Sequence, residues 1–515
     1  MKTTIRSKYI TLKRLLVGLI LLYIAVASLG YLFLDSSLFD EMTLLLCACT
    51  GFALVTAIMT SSKYLFDELL MIAIWMILFA FPRVAMYLFA PEETIFPFGE
   101  INSVDTVNAG LLYVSAGTLF MLIGMSVSDK LVGTRNSSIP VSTRDLTLYS
   151  NKNLLLVFLL VLGTNLYSSF VMGISPYGKM QAESYNTLFQ LIKTSLELDS
   201  CFYYVLTALL VKHTISTEKG IIPSIFVIIC YVLVTVSSGS RSAVMRVVII
   251  FPVIIAILNT RPQIDLVKFV NASLVAICLA LAAFPIATLN RARIFASHYD
   301  STAILDAAKE VSVREGVGGL VAGAFNRMGT IDYPILIVTQ EGDKEAKEKY
   351  LNISYPIKNI INMLLPGTPF PESAIMTSRS VDVIYRGGAE TDMYERYFSE
   401  FWTLWGISYV YFGWLGGIIS MFLFGFVSHV LYMMIVKNFH GWLQIYLRLW
   451  FVVYLTGGIV GNMGIDSAFT TGFFGLIQFS ALTLCIYLIN ALSGFFRGFC
   501  TQICKAQREA ISARS

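Results

Sequence analysis

Charge is scarce in this 515-residue chain. Aspartate, glutamate, lysine and arginine make up 14% of it, against 56% hydrophobic residues. Soluble globular domains carry about 25% charged and about 45–50% apolar residues, and a soluble fold would have to bury the surplus. A soluble enzyme is thereby excluded, and with a mean hydropathy of +0.71 the chain reads as a polytopic membrane protein. The charge present is nearly balanced, at 37 basic and 33 acidic residues. The basic residues are scattered or flank apolar runs, so nucleic acid is excluded as a partner. Histidine occurs four times and cysteine eight. Cys47, Cys49, Cys230, Cys278 and Cys485 lie in apolar runs, and the longest polar segment has no cysteine, which excludes a disulfide framework. Neither a Cys-x-x-Cys pair nor a His/Cys cluster suggests a zinc site. Without a Walker motif, cytoplasmic ATP is excluded as the energy source. No metal and no cofactor is expected.

What the chain has in abundance is long apolar runs. A bilayer core takes roughly 20 apolar residues in a helix. Runs of that kind fall near 15–34, 42–60, 65–90, 109–128, 153–173, 199–215, 221–239, 243–258, 269–288, 404–432, 443–462 and 467–495. The expected fold is all-α, with about twelve transmembrane helices. Lys2, Arg6, Lys8, Lys13 and Arg14 precede the first span, and Arg497, Lys505, Arg508 and Arg514 follow the last. Alternating the loops puts Lys63, Lys212, Lys219, Arg261, Lys268 and Lys437 on that same side. Asp35, Asp40, Glu41, Glu92, Glu93 and Asp105 fall on the other. Both termini are therefore expected in the cytoplasm by the positive-inside rule. Ala25-Val26-Ala27 resembles a signal-peptidase site, but the apolar run continues to Leu34, so an uncleaved anchor is expected.

This layout assigns spans one to nine to residues 1–288, one large external loop to 289–403, spans ten to twelve to 404–495, and a basic tail to 496–515. The loop holds twelve lysines and arginines against fifteen acids, and a loop of that length is functional or disordered. Its apolar patches, Ile304-Leu305 and Ile360 to Leu365, predict short helices on the membrane or over a cavity. Glu341 to Lys349 reads as a solvated helix face.

Residues able to do chemistry gather on the external side. Ser237-Ser-Gly-Ser-Arg241-Ser242 is a tight turn between two spans, and an arginine at that depth costs several kcal/mol unless paired or hydrated. Snorkelling accounts for it equally with a guanidinium held for an anion. Arg291 and Arg293 follow the ninth span; interfacial anchoring is their plain explanation. Arg327 precedes Asp332, with which a surface salt bridge is the simplest expectation. Three arginine sites on one face also suit a phosphate or diphosphate, which planar guanidinium groups bind bidentately. Leu365-Pro-Gly-Thr-Pro-Phe-Pro371 is rigid, turned chain. Asp382 and Glu400 are the carboxylates best placed to act as a base, Glu400 among aromatics where desolvation would raise its pKa. His298 is the only external histidine, so a Ser-His-Asp triad could form only through it.

The order of these elements resembles bacterial oligosaccharide repeat-unit polymerases, the O-antigen polymerase (Wzy) family. Ser-Gly-Ser-Arg241 is similar to that family's Gly-Ser-Arg turn. Asn290-Arg291, the Arg327 to Asp332 segment, Pro366-Gly-Thr-Pro369 and Phe412-Gly-Trp-Leu-Gly-Gly417 follow in the family's sequence, the last like its FGxLGG pattern. The resemblance covers roughly residues 230–480. It implies a GT-C-like glycosyltransferase in the bacterial inner membrane with its large loop in the periplasm. Such an enzyme transfers a growing glycan from undecaprenyl diphosphate onto a new lipid-linked oligosaccharide repeat unit for O-antigen, capsule or exopolysaccharide. It implies membrane lipid and a Wzz-like chain-length regulator as partners. On this reading Arg241, Arg291, Arg293 and Arg327 bind the diphosphate, Glu400 or Asp382 takes the hydroxyl proton, and no metal is needed. An O-antigen ligase shares the layout but generally uses a loop histidine. A lipid-linked oligosaccharide flippase would line several spans with charges, whereas here the charges pool in one loop.

Overall fold

The computed structural model describes residues 9–61, 67–91, 101, 103–132, 150–168, 196–215, 221–237, 263–265, 329–352, 354–364, 369–370, 384–385, 403–456 and 472–492, with positions 247, 250, 253, 254, 257 and 460 besides. Helix dominates, as a membrane requires: no water is available there to satisfy backbone groups, so each span bonds internally. The first helices are α1 Leu12–Phe33, α2 Glu41–Thr60, α3 Asp67–Phe89 and α4 Val104–Val132. Next come α5 Asn151–Leu166, α6 Leu198–Ile215 and α7 Ile221–Ser237. Three short helices follow, α8 Asp332–Thr339, α9 Lys344–Tyr350 and α10 Ser354–Leu364. The last are α11 Thr403–Asn438, α12 Gly441–Trp450 and α13 Gly472–Leu492. Six of them, α1 to α4, α11 and α13, are long and apolar enough to cross a membrane. Every expected span except the eighth and ninth coincides with a described helix; the eighth is described only at isolated positions and 269–288 lies outside the described residues.

Local sequence explains the helix starts. Asp40 caps α2 in a reciprocal box with Thr43, and Asn108 of α4 donates to both its oxygens at 3.1 Å. Burial pushes the Asp40 carboxyl up, but the hydrogen bonds from Thr43 and Asn108 outweigh it and hold the group below its usual range. Thr11 caps α1 with a single bond, its hydroxyl accepting from the Arg14 amide at 3.4 Å. Within α3 the ladder widens to a π-turn at Met76–Ala80. Pro82 follows directly, and a proline lacks the amide and crowds the carbonyl four residues back.

A single pair of three-residue strands accompanies the helices among the described residues: β1 Tyr9–Thr11 lies antiparallel to β2 Gln263–Asp265, Ile10 opposite Ile264. That pairing holds the start of α1 beside the 263–265 segment.

The chain forms two compact units, one of residues 1–141 and 239–473, the other of 142–238 and 474–515. In the second, polar side chains tie the helices. Ser200 of α6 donates to Gln478 of α13 at 2.5 Å, Gln478 donates to Glu197 at 3.0 Å, and Tyr231 of α7 donates to Asp199 at 2.8 Å. Such bonds matter between helices that lipid solvates as well as protein does.

In the first unit α4 and α11 run parallel at backbone contact. Gly110, Gly117 and Gly124 make a stripe along α4 at a spacing of seven residues. A Cβ on Gly124 would meet the Phe422 carbonyl at 2.2 Å, and one on Gly425 of α11 would meet the Met121 carbonyl at 2.1 Å. Small residues let helix backbones approach where dispersion is the main attraction. Parallel packing of these two helices requires an odd number of crossings between them, as five expected spans supply. Against Gly110 lies α8, the Ile335 Cα only 2.4 Å from where a Cβ would sit. Residues Asp332 to Ile337 are all buried. This part of the 289–403 segment is therefore packed between helices, while Lys344, Glu345, Glu348 and Lys349 of α9 are exposed, as expected for a solvated face.

Gly124→Ala is expected to destabilise the protein by about 1–3 kcal/mol, the usual effect of overpacking, seen as a lowered thermal midpoint in detergent. Gly18→Ala, where nothing lies within 4 Å, is expected to leave that midpoint unchanged.

Candidate functional site

Arg241, Arg291, Arg293, Arg327, Asp382 and Glu400 all lie outside the described residues, as does His298. The described residues show instead what holds the chain on either side of several of them. Arg327 stands two residues before Gly329, the start of a 3₁₀ turn that leads into α8. Asp332, expected in a surface salt bridge with Arg327, is fully buried. Its carboxylate takes both Arg83 Nε, at 3.0 Å, and Nη2, at 2.6 Å. It also accepts from the Tyr87 hydroxyl. Arg83 and Tyr87 are one helical turn apart on α3, immediately beyond Pro82, so both face Asp332. All three side chains are fully buried. Sequence reading missed Arg83 because one arginine in a 23-residue apolar helix scarcely lowers its hydropathy; the missed signal was a lone intramembrane charge, which demands a partner.

A second cluster shapes the rest of the loop. Asn362 of α10 pairs with the backbone of Phe370, accepting from its amide at 2.8 Å and donating to its carbonyl at 2.5 Å. This two-way bond holds Phe370 beside α10, and Lys358 lies 5.5 Å from the Phe370 ring. Tyr350, Tyr355 and Ile384 form a small core of their own, and Asp343 donates its amide to the Ile384 carbonyl at 2.8 Å. Ile384 is two residues beyond Asp382. Burial, with Tyr409 of α11 nearby, pushes the Tyr385 phenol above its ordinary value, so Tyr385 is a neutral hydroxyl at neutral pH.

The Phe412-Gly-Trp-Leu-Gly-Gly417 element is a break in α11. Gly413 has φ 65° and ψ −164°, a backbone state open to glycine and strained for other residues. Beyond it Gly417 faces the Tyr113 hydroxyl, whose oxygen is 2.1 Å from where a Cβ would be. Tyr113 meets Tyr409 edge-on at 5.3 Å and Trp414 at 5.4 Å. At the head of α11, Thr403 also has a positive φ of 50°, rare for a β-branched residue. It is buried and its Oγ1 accepts from the Gly406 amide at 3.4 Å. Glu400 is three residues before it.

Toward the other end of α11 lies a further group of buried charges that the sequence did not suggest, since its charges read as pooled in one loop. Arg448 of α12 donates to both Asp67 oxygens at 2.8 and 2.7 Å and to the Ile257 carbonyl at 2.9 Å. His429 of α11 bonds Glu68 and lies 3.6 Å from Asp129 of α4. These charges are paired within the protein, joining α3, α4, α11 and α12.

With this geometry in place, comparison with protein-family models finds a match to the family described as O-antigen polysaccharide polymerase Wzy, over residues 14–373. That range takes in Arg241, Arg291, Arg293, Arg327 and the proline segment, and ends before Asp382, Glu400 and the Gly413 break. No curated protein and no solved structure matches the chain.

Removing one member of the Arg83–Asp332 pair strands a buried charge, so Arg83→Ala or Asp332→Ala is expected to cost about 3–5 kcal/mol. The paired replacement Arg83→Met with Asp332→Leu is expected to recover most of that loss. Thermal unfolding of the purified protein in detergent measures both.

Proposed function

Because the chain belongs to the O-antigen polysaccharide polymerase Wzy family, we propose that it joins lipid-linked repeat units at the periplasmic face of the bacterial inner membrane, with both termini cytoplasmic. The family match over residues 14–373 is the observation that carries this reading. A growing glycan on undecaprenyl diphosphate is the donor, and the non-reducing end of a new lipid-linked unit is the acceptor. The acceptor hydroxyl forms a bond to the donor's anomeric carbon as the bond from that carbon to phosphate breaks. Undecaprenyl diphosphate leaves with the electron pair, and the hydroxyl proton passes to Glu400 or Asp382.

Arg241, Arg291, Arg293 and Arg327 neutralise the departing diphosphate, the kind of charge stabilisation that dominates many transfer reactions. Guanidinium groups supply the charge that a divalent cation would otherwise bring, so activity is expected to survive exhaustive chelation. A Wzz-like chain-length regulator is the expected partner.

The test is a gel of surface glycans from a deletion strain complemented with wild type or Arg241→Ala. Wild type is expected to restore a ladder, and Arg241→Ala to give a single capped repeat unit while the protein still accumulates in the membrane. A normal ladder from Arg241→Ala would remove that arginine from the site. Loss of every added sugar in the deletion strain would point to a ligase or flippase.

A further inference from the structure

Helix α10 is inside out for a segment bathed in water. Asn352 starts it, accepting from the Ser354 amide at 3.0 Å, and Pro356 sits in its first turn, where the missing amide has no helical acceptor to lose. At about 100° per residue, Tyr355, Asn359 and Asn362 fall on one face, and all three are buried. Ile357, Ile360 and Ile361 fall on the opposite face. Ile357 is 54% exposed, and Ile360 and Ile361 are half-buried. A helix on a soluble surface turns its isoleucines in and its asparagines out. Here the inward asparagine Asn362 is satisfied by both the amide and the carbonyl of Phe370. Hydrogen bonds therefore fix this orientation, and the apolar face is left pointing outward.

The medium on that face follows from where the helix sits. Tyr355 packs with Tyr350 and Ile384, and Tyr385 packs against them. The Tyr385 phenol lies near Tyr409 of α11, and Tyr409 donates to the Val338 carbonyl of α8 at 3.2 Å. Helix α8 rests in turn on Gly110 of α4. Gly110 and Tyr409 are each less than two turns from the start of a helix long enough to cross the membrane. This run of contacts holds α10 at the membrane boundary. Just beyond Tyr409, the side chains of Phe412, Trp414 and Leu415 stand exposed, as lipid-facing groups do. The 11 residues of α10 reach only ~17 Å, too short to cross a ~30 Å core. A short helix with one apolar face lies along the boundary. Lys358 flanks that face, and a lysine stem can run along apolar surface while its ammonium reaches the phosphates.

We propose that α10 is a membrane-interface anchor whose Ile357, Ile360 and Ile361 enter the acyl region of the adjacent phospholipid leaflet, with Lys358 beside the headgroup phosphates. The occupant of the face is bulk phospholipid. This goes beyond the polymerase reading and does not require it.

Photocrosslinking in bacterial membranes tests it. Full-length protein carrying p-benzoylphenylalanine in place of Ile357 is irradiated, purified and weighed by mass spectrometry. An adduct with the mass of one phospholipid is expected at position 357, and none when the same residue replaces Glu345, on the exposed face of α9. Crosslinking to another polypeptide, or to a second copy of the chain, would make this face a protein interface. An adduct with the mass of a polyprenyl lipid would make it part of a substrate groove. A yield at 357 no higher than at 345 would place it in water. Each of these outcomes overturns the proposal. In phospholipid nanodiscs, Ile357→Asp is expected to lower the thermal midpoint and Ile357→Leu to leave it unchanged; an unchanged midpoint for Ile357→Asp also overturns it.

Discussion

Backbone contact between α4 and α11 is the constraint on which the rest of the first unit depends. Two helices of 29 and 36 residues touch through glycines at 124 and 425, where neither chain has room for a Cβ. Hydrophobic burial cannot drive this association within lipid, so close packing has to. Once the two are held in parallel, Tyr113 comes to rest on Gly417, and Asp129 on His429. Ile335 of α8 closes on Gly110. Buried polar and aromatic side chains of several helices meet along that one seam.

Charge is distributed to reinforce the seam at both ends. Near one end Arg83 and Tyr87 of α3 hold Asp332, drawing in the start of the chain that carries the short loop helices. Toward the other, Asp67 and Glu68 of the same helix reach Arg448 and His429. A charge buried in a membrane protein is tolerated when another charge or polar group meets it. Helix α3 thus has ionic partners at each end, and the π-turn before Pro82 lies between them.

Membrane character, helix positions and the order of motifs were legible in the sequence because they are local or additive properties. Hydropathy sums over a window, and a described helix coincides with the expected spans from Leu12 to Ser237 and from Thr403 to Leu492. The Gly413-containing motif was visible as a pattern of letters. Its meaning as a break was not, since that lies in one backbone angle, φ 65° at Gly413, which the letters do not state. The partner of Asp332 was equally hidden. Arg83 is 249 residues away, and nothing local distinguishes it from a snorkelling arginine; Arg327, five residues away, looked the better partner. The residue types and their order were determined by the sequence alone, whereas which charges meet was decided by helices brought together across hundreds of residues.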